Sequence, residues 1–238
     1  DDEAHRRVAS LVAVEATTVE GASDRAAASV EWLLRPHATP DGPFETLGGY
    51  ADVLDAVARE APGTGVALAL GGDVRDAALG AWREHARAVH GLLDGATTAR
   101  YDGVLVARAD EATAGRLATA ARLLRDYRSP EPVALAVADG AAAASATEPA
   151  DLHARTASAV EAVGGGSAFG GPSRAGARVD GDVGEFVRAF RGMDFEAPVP
   201  LLEAADSLFN LVADIAWLDS IALVGEDLRR RCLRAEPI

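Results

Sequence analysis

Lysine is absent from this sequence: all 23 basic residues among its 238 are arginine. That excludes a phosphate loop of the Gly-Lys-Ser/Thr kind, and GGDVRDA (71–77), which starts like one, has no lysine to hold a nucleotide's phosphates. Cysteine occurs once, at Cys232, which excludes an internal disulfide framework and fits a reducing compartment. No window holds 18 uninterrupted apolar residues, and the N-terminal DDEAHRRVAS carries no apolar signal core, so a cytoplasmic chain without a membrane segment is expected. The first residue is Asp rather than Met, from which a fragment or processed product is expected.

Histidine is also scarce. His5, His37, His85, His90 and His153 lie far apart, and the closest two, five residues apart on a helix, fall on different faces instead of forming an i, i+4 metal pair. Each is expected to be a packing or surface residue. Asp110 and Glu111 do not make a two-metal site, which needs several carboxylates from separate strand ends; they are expected as acids favoured by a helix N-terminus. Hence no catalytic residue and no metal ligand is expected in this chain.

Acid is what the sequence has in excess: 37 Asp and Glu leave a formal net charge of −14. An acidic, lysine-free, alanine-rich composition is what halophiles and GC-rich genomes produce, because acidic surfaces keep a protein soluble in concentrated salt. It does not exclude nucleic acid as a partner. The balance is −8 over residues 1–95, −2 over 96–194 and −4 over 195–238, so the acidity is relieved where a phosphate-facing surface would need it.

Hydrophobic periodicity predicts mostly helix over 4–34, a turn cluster over 35–44, a helix over 47–61, a short buried strand over 63–73, and a long helix capped by Asp73 with Trp82, Val89, Leu92 and Leu93 inward. A regular alternation follows: strand 104–109, helix 111–127, strand 132–140, helix 151–163, a glycine-rich stretch ending in a short strand ARV, and helix 182–192. Asp182 with Glu185 makes an acidic variant of the capping box. Alternating strands and helices argue for a layered α/β module. The apolar stretch 201–224 reads as one or two helices that must pack on the body or on a protein partner.

The glycine-rich stretch, GGGSAFGGPSRAGARV (164–179), holds six glycines. Side-chain-free turns let a backbone come close to an anion, and arginine suits phosphate because its fork donates two parallel hydrogen bonds. Slack expanded by GC-rich drift is the competing reading.

The run YDGVLVARADEATAGRLATAARLLRDYRSPEPVALAVADG, followed by DLHARTASAVEAVGGG and GGPSRAGARVDGDVGEFVRAF, resembles the DHH-associated domain of the RecJ-like branch of the DHH phosphoesterase superfamily. The segment from Phe44 to Leu93 is similar to the connector preceding that domain in archaeal RecJ-like proteins, so the resemblance spans about residues 44–192. It implies an α/β fold: a mainly helical connector region (1–96) with one strand, a layered nucleic-acid-binding domain with a mixed sheet (97–193), and a helical tail (194–238). It also implies a grip on single-stranded DNA or RNA. The residues expected at the backbone are Gly170, Gly171, Arg174, Gly176, Arg178, Arg155 and Ser145. The family's Gly-Gly-His is Gly170-Gly171-Pro172 here, and its Ser-x-Arg is Ser145-Ala146-Thr147, so two phosphate-facing side chains are missing.

The family's catalytic Asp-His-His part, with its Mn2+ or Mg2+, is absent from the chain, and hydrolysis by this chain alone is not expected. Stacking partners are few: Phe169, Tyr101 and Tyr127. The reading that follows is the substrate-holding part of a single-strand-specific exonuclease of haloarchaeal type, serving DNA repair. Two alternatives stay open: an inactive replication scaffold docking a helicase partner through 201–224, and a phosphoesterase of nanoRNA or cyclic dinucleotides.

Overall fold

The computed structural model describes residues 42–192 without a break, residues 22–34 and 37–39, positions 7, 10, 11, 13–15, 17 and 18, and the pair 199–200. Apart from that pair, the tail 194–238 and its expected helices lie outside the described residues. No helix among the described residues is long and apolar enough to cross a membrane.

Among the described residues the N-terminal part is helical at positions between 7 and 18 and includes α1 (Ala26–Leu34), α2 (Leu47–Glu60), α3 (Pro62–Ala69) and α4 (Arg75–Gly95). Helix α2 starts where the Thr46 hydroxyl accepts the Gly49 N–H at 3.0 Å, which satisfies one orphan donor of the first turn. Its apolar positions Val53 and Val57 recur at helical spacing and close a small core with Phe44, Leu68, Ala78 and Leu79.

Two expectations are corrected here. The run 63–73 is not a strand: Pro62 opens α3 at the first helical position, where its missing N–H costs nothing, and the chain then turns at Gly71 with φ +79. Asp73 does not cap α4. That role falls to Val74, whose side chain makes no capping bond.

The α/β part follows as β1 (Thr97–Tyr101), β2 (Val104–Arg108), α5 (Ala114–Leu123) ending in a π-helical turn (Leu124–Arg128), β3 (Val133–Ala138), β4 (Ala141–Ala146), α6 (Leu152–Ala162), β5 (Gly166–Gly170), β6 (Arg174–Val179) and α7 (Val183–Arg191). Strand order is β5-β6-β4-β3-β2-β1, with Val199–Pro200 as β7 outside β1. Only the β2–β3 pair is parallel, joined by the α5 crossover, so the layered mixed α/β fold expected from the alternation is the fold observed. Asp182 caps α7 as expected, its carboxylate accepting from Glu185 N at 2.7 Å. The cap of α5 is Thr113, so Asp110 and Glu111 stand in the loop before the helix.

Strands β1 and β4 were not anticipated. Each belongs to a hairpin with a two-residue Asp-Gly loop, Asp102-Gly103 and Asp139-Gly140, whose glycines sit at φ +77 and +78. The all-buried AAAASA of β4 has no strand propensity; its pairing on both sides with β3 and β6 overrides that.

The sheet's two faces differ. Toward α6 and α7 it presents Val104, Val106, Val133, Leu135 and Val137 against the buried Phe186 and Phe190. Toward α5 it presents Ala107, Ala134, Ala136, Ala138, Ala141 and Ala143, which meet Ala120 and Ala121 of the helix.

Polar anchors join the two parts. Glu60 of α2 accepts from Arg116 Nε (2.8 Å) and Nη2 (3.0 Å), and its Oε1 lies 2.9 Å from Nδ1 of the buried His85. A carboxylate only accepts, so Nδ1 carries a proton, and in the neutral ring Nε2 accepts from Thr119 Oγ1, 2.9 Å away on α5. A second anchor is the buried Glu131, which accepts from Arg100 Nε and from Gly103 N (2.9 Å) at the β1–β2 turn, while its carbonyl takes Arg25 Nη2 (3.0 Å).

The Arg116 hydrogen bonds, with a lesser contribution from His85, hold the Glu60 carboxyl at about 2, below its usual 4.5. A lowered carboxylate pKa stabilises the fold fully above the unfolded value and loses that contribution as pH falls from 4.5 toward 2. Urea melts are expected to show a steeper loss of stability over that interval in the parent than in Glu60→Gln, and equal slopes would refute the linkage. Glu131→Ala, which strands Gly103 N and Arg100, is expected to lower the unfolding free energy by about 1–3 kcal/mol in the same melts at neutral pH.

Candidate nucleic-acid interface

The glycine-rich stretch is neither slack nor an open loop. It is the β5–β6 hairpin, with Gly166 paired to Val179 and Gly170 to Ala175. Only ARV was expected as strand. Glycine hides the rest of the hairpin from a propensity reading, yet here it serves contact: a Cβ on Gly176 would stand 2.5 Å from Cε2 and Cζ of Phe169, so the ring lies directly on the Gly176 backbone.

The hairpin's turn is tied down. Pro172 O accepts from Ala150 N (3.0 Å) and Leu152 N (3.1 Å), and Gly171 O from His153 N (3.1 Å), so turn carbonyls occupy the first donors of α6. Gly171 N itself donates to Arg174 O at 2.8 Å. The expected approach of a phosphate to the Gly170-Gly171 backbone therefore has one donor fewer, because hairpin closure uses it. The side chains beside the turn are the other candidates for contact with a ligand.

Those side chains converge on a groove of about 180 Å³. Phe169, Gly170, Arg174 and Gly176 form its hairpin side; Ala118 and Arg122 of α5, with Asp55 and Arg59 of α2, form the other. Phe169 is 51% exposed although it is a large apolar side chain. Arg174 is exposed and engages no ion pair or side-chain hydrogen bond among the described residues. Arg59 is held in place: Nε donates to Gly115 O (3.0 Å) and Nη1 to the Asp55 carboxylate (2.6 Å). Arg122 lies 3.7 Å from the Asp52 carboxylate. Three arginines line the groove; Asp55 pairs with Arg59 and Asp52 with Arg122, so an excess of one cation, Arg174, remains on a strongly acidic protein.

Of the residues singled out in the sequence, Gly170, Arg174 and Gly176 line this groove, and Gly171 stands in the turn next to Gly170. Arg178 lies two residues along the same face of β6 and pairs with Asp180 at 3.0 Å. Ser145 and Arg155 do not join them. Ser145 is 1% exposed, and its hydroxyl accepts from Arg125 Nη1 at 2.9 Å, so an arginine from the end of α5 occupies the serine. Arg155 donates to Phe190 O and, at 3.2 Å, to Arg191 O, capping the C-terminus of α7 while stacking over the Phe190 ring. Burial pulls its pKa down. Tyr101 is likewise engaged, under the Arg191 guanidinium.

Asp55, Arg59 and Arg122 escaped the sequence reading. Only an i, i+4 Asp-Arg pair was visible there, and nothing local links α2 to a hairpin more than a hundred residues on. Among the described residues no group of three or more His, Cys, Asp or Glu is placed to hold a metal.

Comparison with known proteins gives three findings. The family model described as "Uncharacterized protein rrnAC1427, C-terminal domain" matches residues 96–192. The chain is 55% identical over 164 residues to "Uncharacterized protein rrnAC1427" of Haloarcula marismortui, an alignment that covers 68% of this chain and 43% of that protein, so the chain spans less than half of its relative's length. Among solved structures it is similar to the crystal structure of RecJ in complex with Mn2+ from Thermus thermophilus, at a TM-score of 0.38 and 17% identity, covering 68% of this chain and 28% of that one. A TM-score that low carries no functional argument. The sequence likeness to the haloarchaeal protein extends over 164 residues, and residues 96–192 are those that match the C-terminal-domain model.

Proposed function

We propose that this chain holds single-stranded nucleic acid in the groove between the β5–β6 hairpin and helices α2 and α5, as the substrate-gripping part of a RecJ-like, DHH-type phosphoesterase. The observation that carries this reading is Phe169: an exposed ring, its Cε2–Cζ edge packed against the Gly176 backbone, sharing a groove with the unengaged Arg174 and two further arginines. A single strand is bound by that combination, bases stacking on aromatic faces while cations follow the phosphates. Hydrolysis, with its Mn2+ or Mg2+, belongs in this proposal to a part of the longer protein outside these residues, for which the 43% coverage of the haloarchaeal relative leaves room.

The test is fluorescence anisotropy of the 238-residue chain with a labelled single strand, DNA and RNA in parallel, from low to molar potassium chloride. Binding is expected to weaken as salt rises, since phosphate neutralisation releases counterions. Arg174→Ala is expected to weaken binding and flatten the salt slope by about one unit. Phe169→Ala should cost about 1–3 kcal/mol while leaving the slope as it is, because stacking displaces no counterion. Absence of binding by folded protein at every salt concentration would overturn the proposal. So would binding indifferent to both substitutions.

A further inference from the structure

Recognition of a single strand by stacking and phosphate contact is blind to base identity, since every base has a face. A carboxylate in the groove is out of place in such a site: it repels phosphate, and it lies among the very arginines that attract it. Asp55 is that carboxylate. Its side chain remains 40% exposed, and Arg59 Nη1 engages Oδ1 at 2.6 Å. A carboxylate has about four lone-pair sites, so most of its accepting capacity remains open, Oδ2 included. Arg59 is fixed by Nε on Gly115 O and by Nη1 on the Asp55 carbonyl and carboxylate, and its Nη2 has no partner among the described residues. Gly115 is what permits this placement: a Cβ there would meet Cβ, Cγ and Cδ of Arg59, each at 3.2 Å. The groove thus contains, beside its aromatic shelf, an acceptor pair and a donor held side by side.

Only one base matches that arrangement along its Watson–Crick edge. Guanine carries two adjacent donors, N1–H and the N2 amino group, next to the acceptor O6; the carboxylate takes the two donors and the guanidinium takes O6. Adenine and cytosine each offer one exocyclic donor next to a ring acceptor, and thymine or uracil flanks its single N–H with two acceptors. Base edges exposed in a single strand are read this way, by hydrogen bonds to an unstacked base lying on an aromatic side chain.

We propose that the groove is a guanine-reading site, in which Phe169 stacks the base, Asp55 accepts from N1–H and N2–H, Arg59 Nη2 donates to O6, and Arg174 and Arg122 hold the flanking phosphates. This rests on the strand-binding reading above and adds base preference to it.

The experiment is competition anisotropy at low salt with short oligothymidylates that carry one central guanine, adenine, cytosine or thymine; a lone guanine avoids four-stranded structures. The guanine strand is expected to bind about tenfold more tightly than the others, the order of discrimination of one well-made bidentate pair. Asp55→Asn keeps an acceptor for Arg59 but loses the second carboxylate oxygen, and the ratio of guanine to thymine affinity is expected to fall to about one. Phe169→Ala should lower the affinity for all four strands together. Equal binding of the four strands by the parent would overturn guanine reading while leaving strand binding intact, as would a preference that survives in Asp55→Asn. A parent that binds none of them would overturn the strand-binding reading and this inference with it.

Discussion

The close contact between α5 and the alanine face of the sheet is the constraint from which the rest of the geometry follows. Ala134, Ala136, Ala141 and Ala143 on the sheet meet Ala120 and Ala121 on the helix, and methyl-sized side chains on both sides bring the helix axis nearer the sheet than leucine or valine would. Interiors tolerate little change in volume, so this depth is set by composition and not by any single strong bond. The helix then flanks the β5–β6 hairpin at a height where Ala118 and Arg122 form a groove wall instead of standing clear of it. A bulkier face would have lifted α5 and opened the groove.

The other wall depends on polar chemistry. Glu60, His85, Arg116 and Thr119 link three helices through bonds of 2.8 to 3.0 Å, and His85 is buried, so its two bonds are not readily replaced by water. This network fixes the last turn of α2 against the start of α5. Arg59 is one residue before Glu60 and Asp55 four before Arg59, so the same bonds that join the two parts of the chain also set the donor and acceptor of the groove. A stabilising residue and the groove's Asp55–Arg59 pair thus lie on neighbouring turns of one helix.

Much of this was legible in the sequence, for reasons that differ by element. Helices α2, α4, α5, α6 and α7 announced themselves because an apolar stripe of helical period is a long signal. Strands β2 and β3 did so as short apolar runs. Strand β4 did not, since AAAASA carries neither alternation nor propensity and is a strand only because neighbours pair with both its edges. The Asp139-Gly140 loop was the available clue. The short apolar run over 63–73 misled in the other direction, because run length alone does not separate a buried strand from a short helix. In the site, Arg174 and its glycines were legible as a local cluster. Asp55, Arg59 and Arg122 were not, being brought there by the packing of α2 and α5.

An acidic protein that binds a polyanion has to confine its attraction to contact distance. Charges beyond the Debye length do not act on each other, and that length shrinks from about 10 Å at 0.1 M salt to about 3 Å at 1 M. At low salt the net charge of −14 repels a strand from everywhere on the surface, and the arginines of the groove work against it. At molar salt the repulsion vanishes at range, but so does steering, and only groups within hydrogen-bonding reach of a phosphate still count. Stacking on Phe169, in the proposed reading, would lose nothing to salt. A groove that rests its affinity on one aromatic face and a few arginines, and places a fixed acceptor and donor beside them, therefore keeps its selectivity where a broad basic surface would lose its hold.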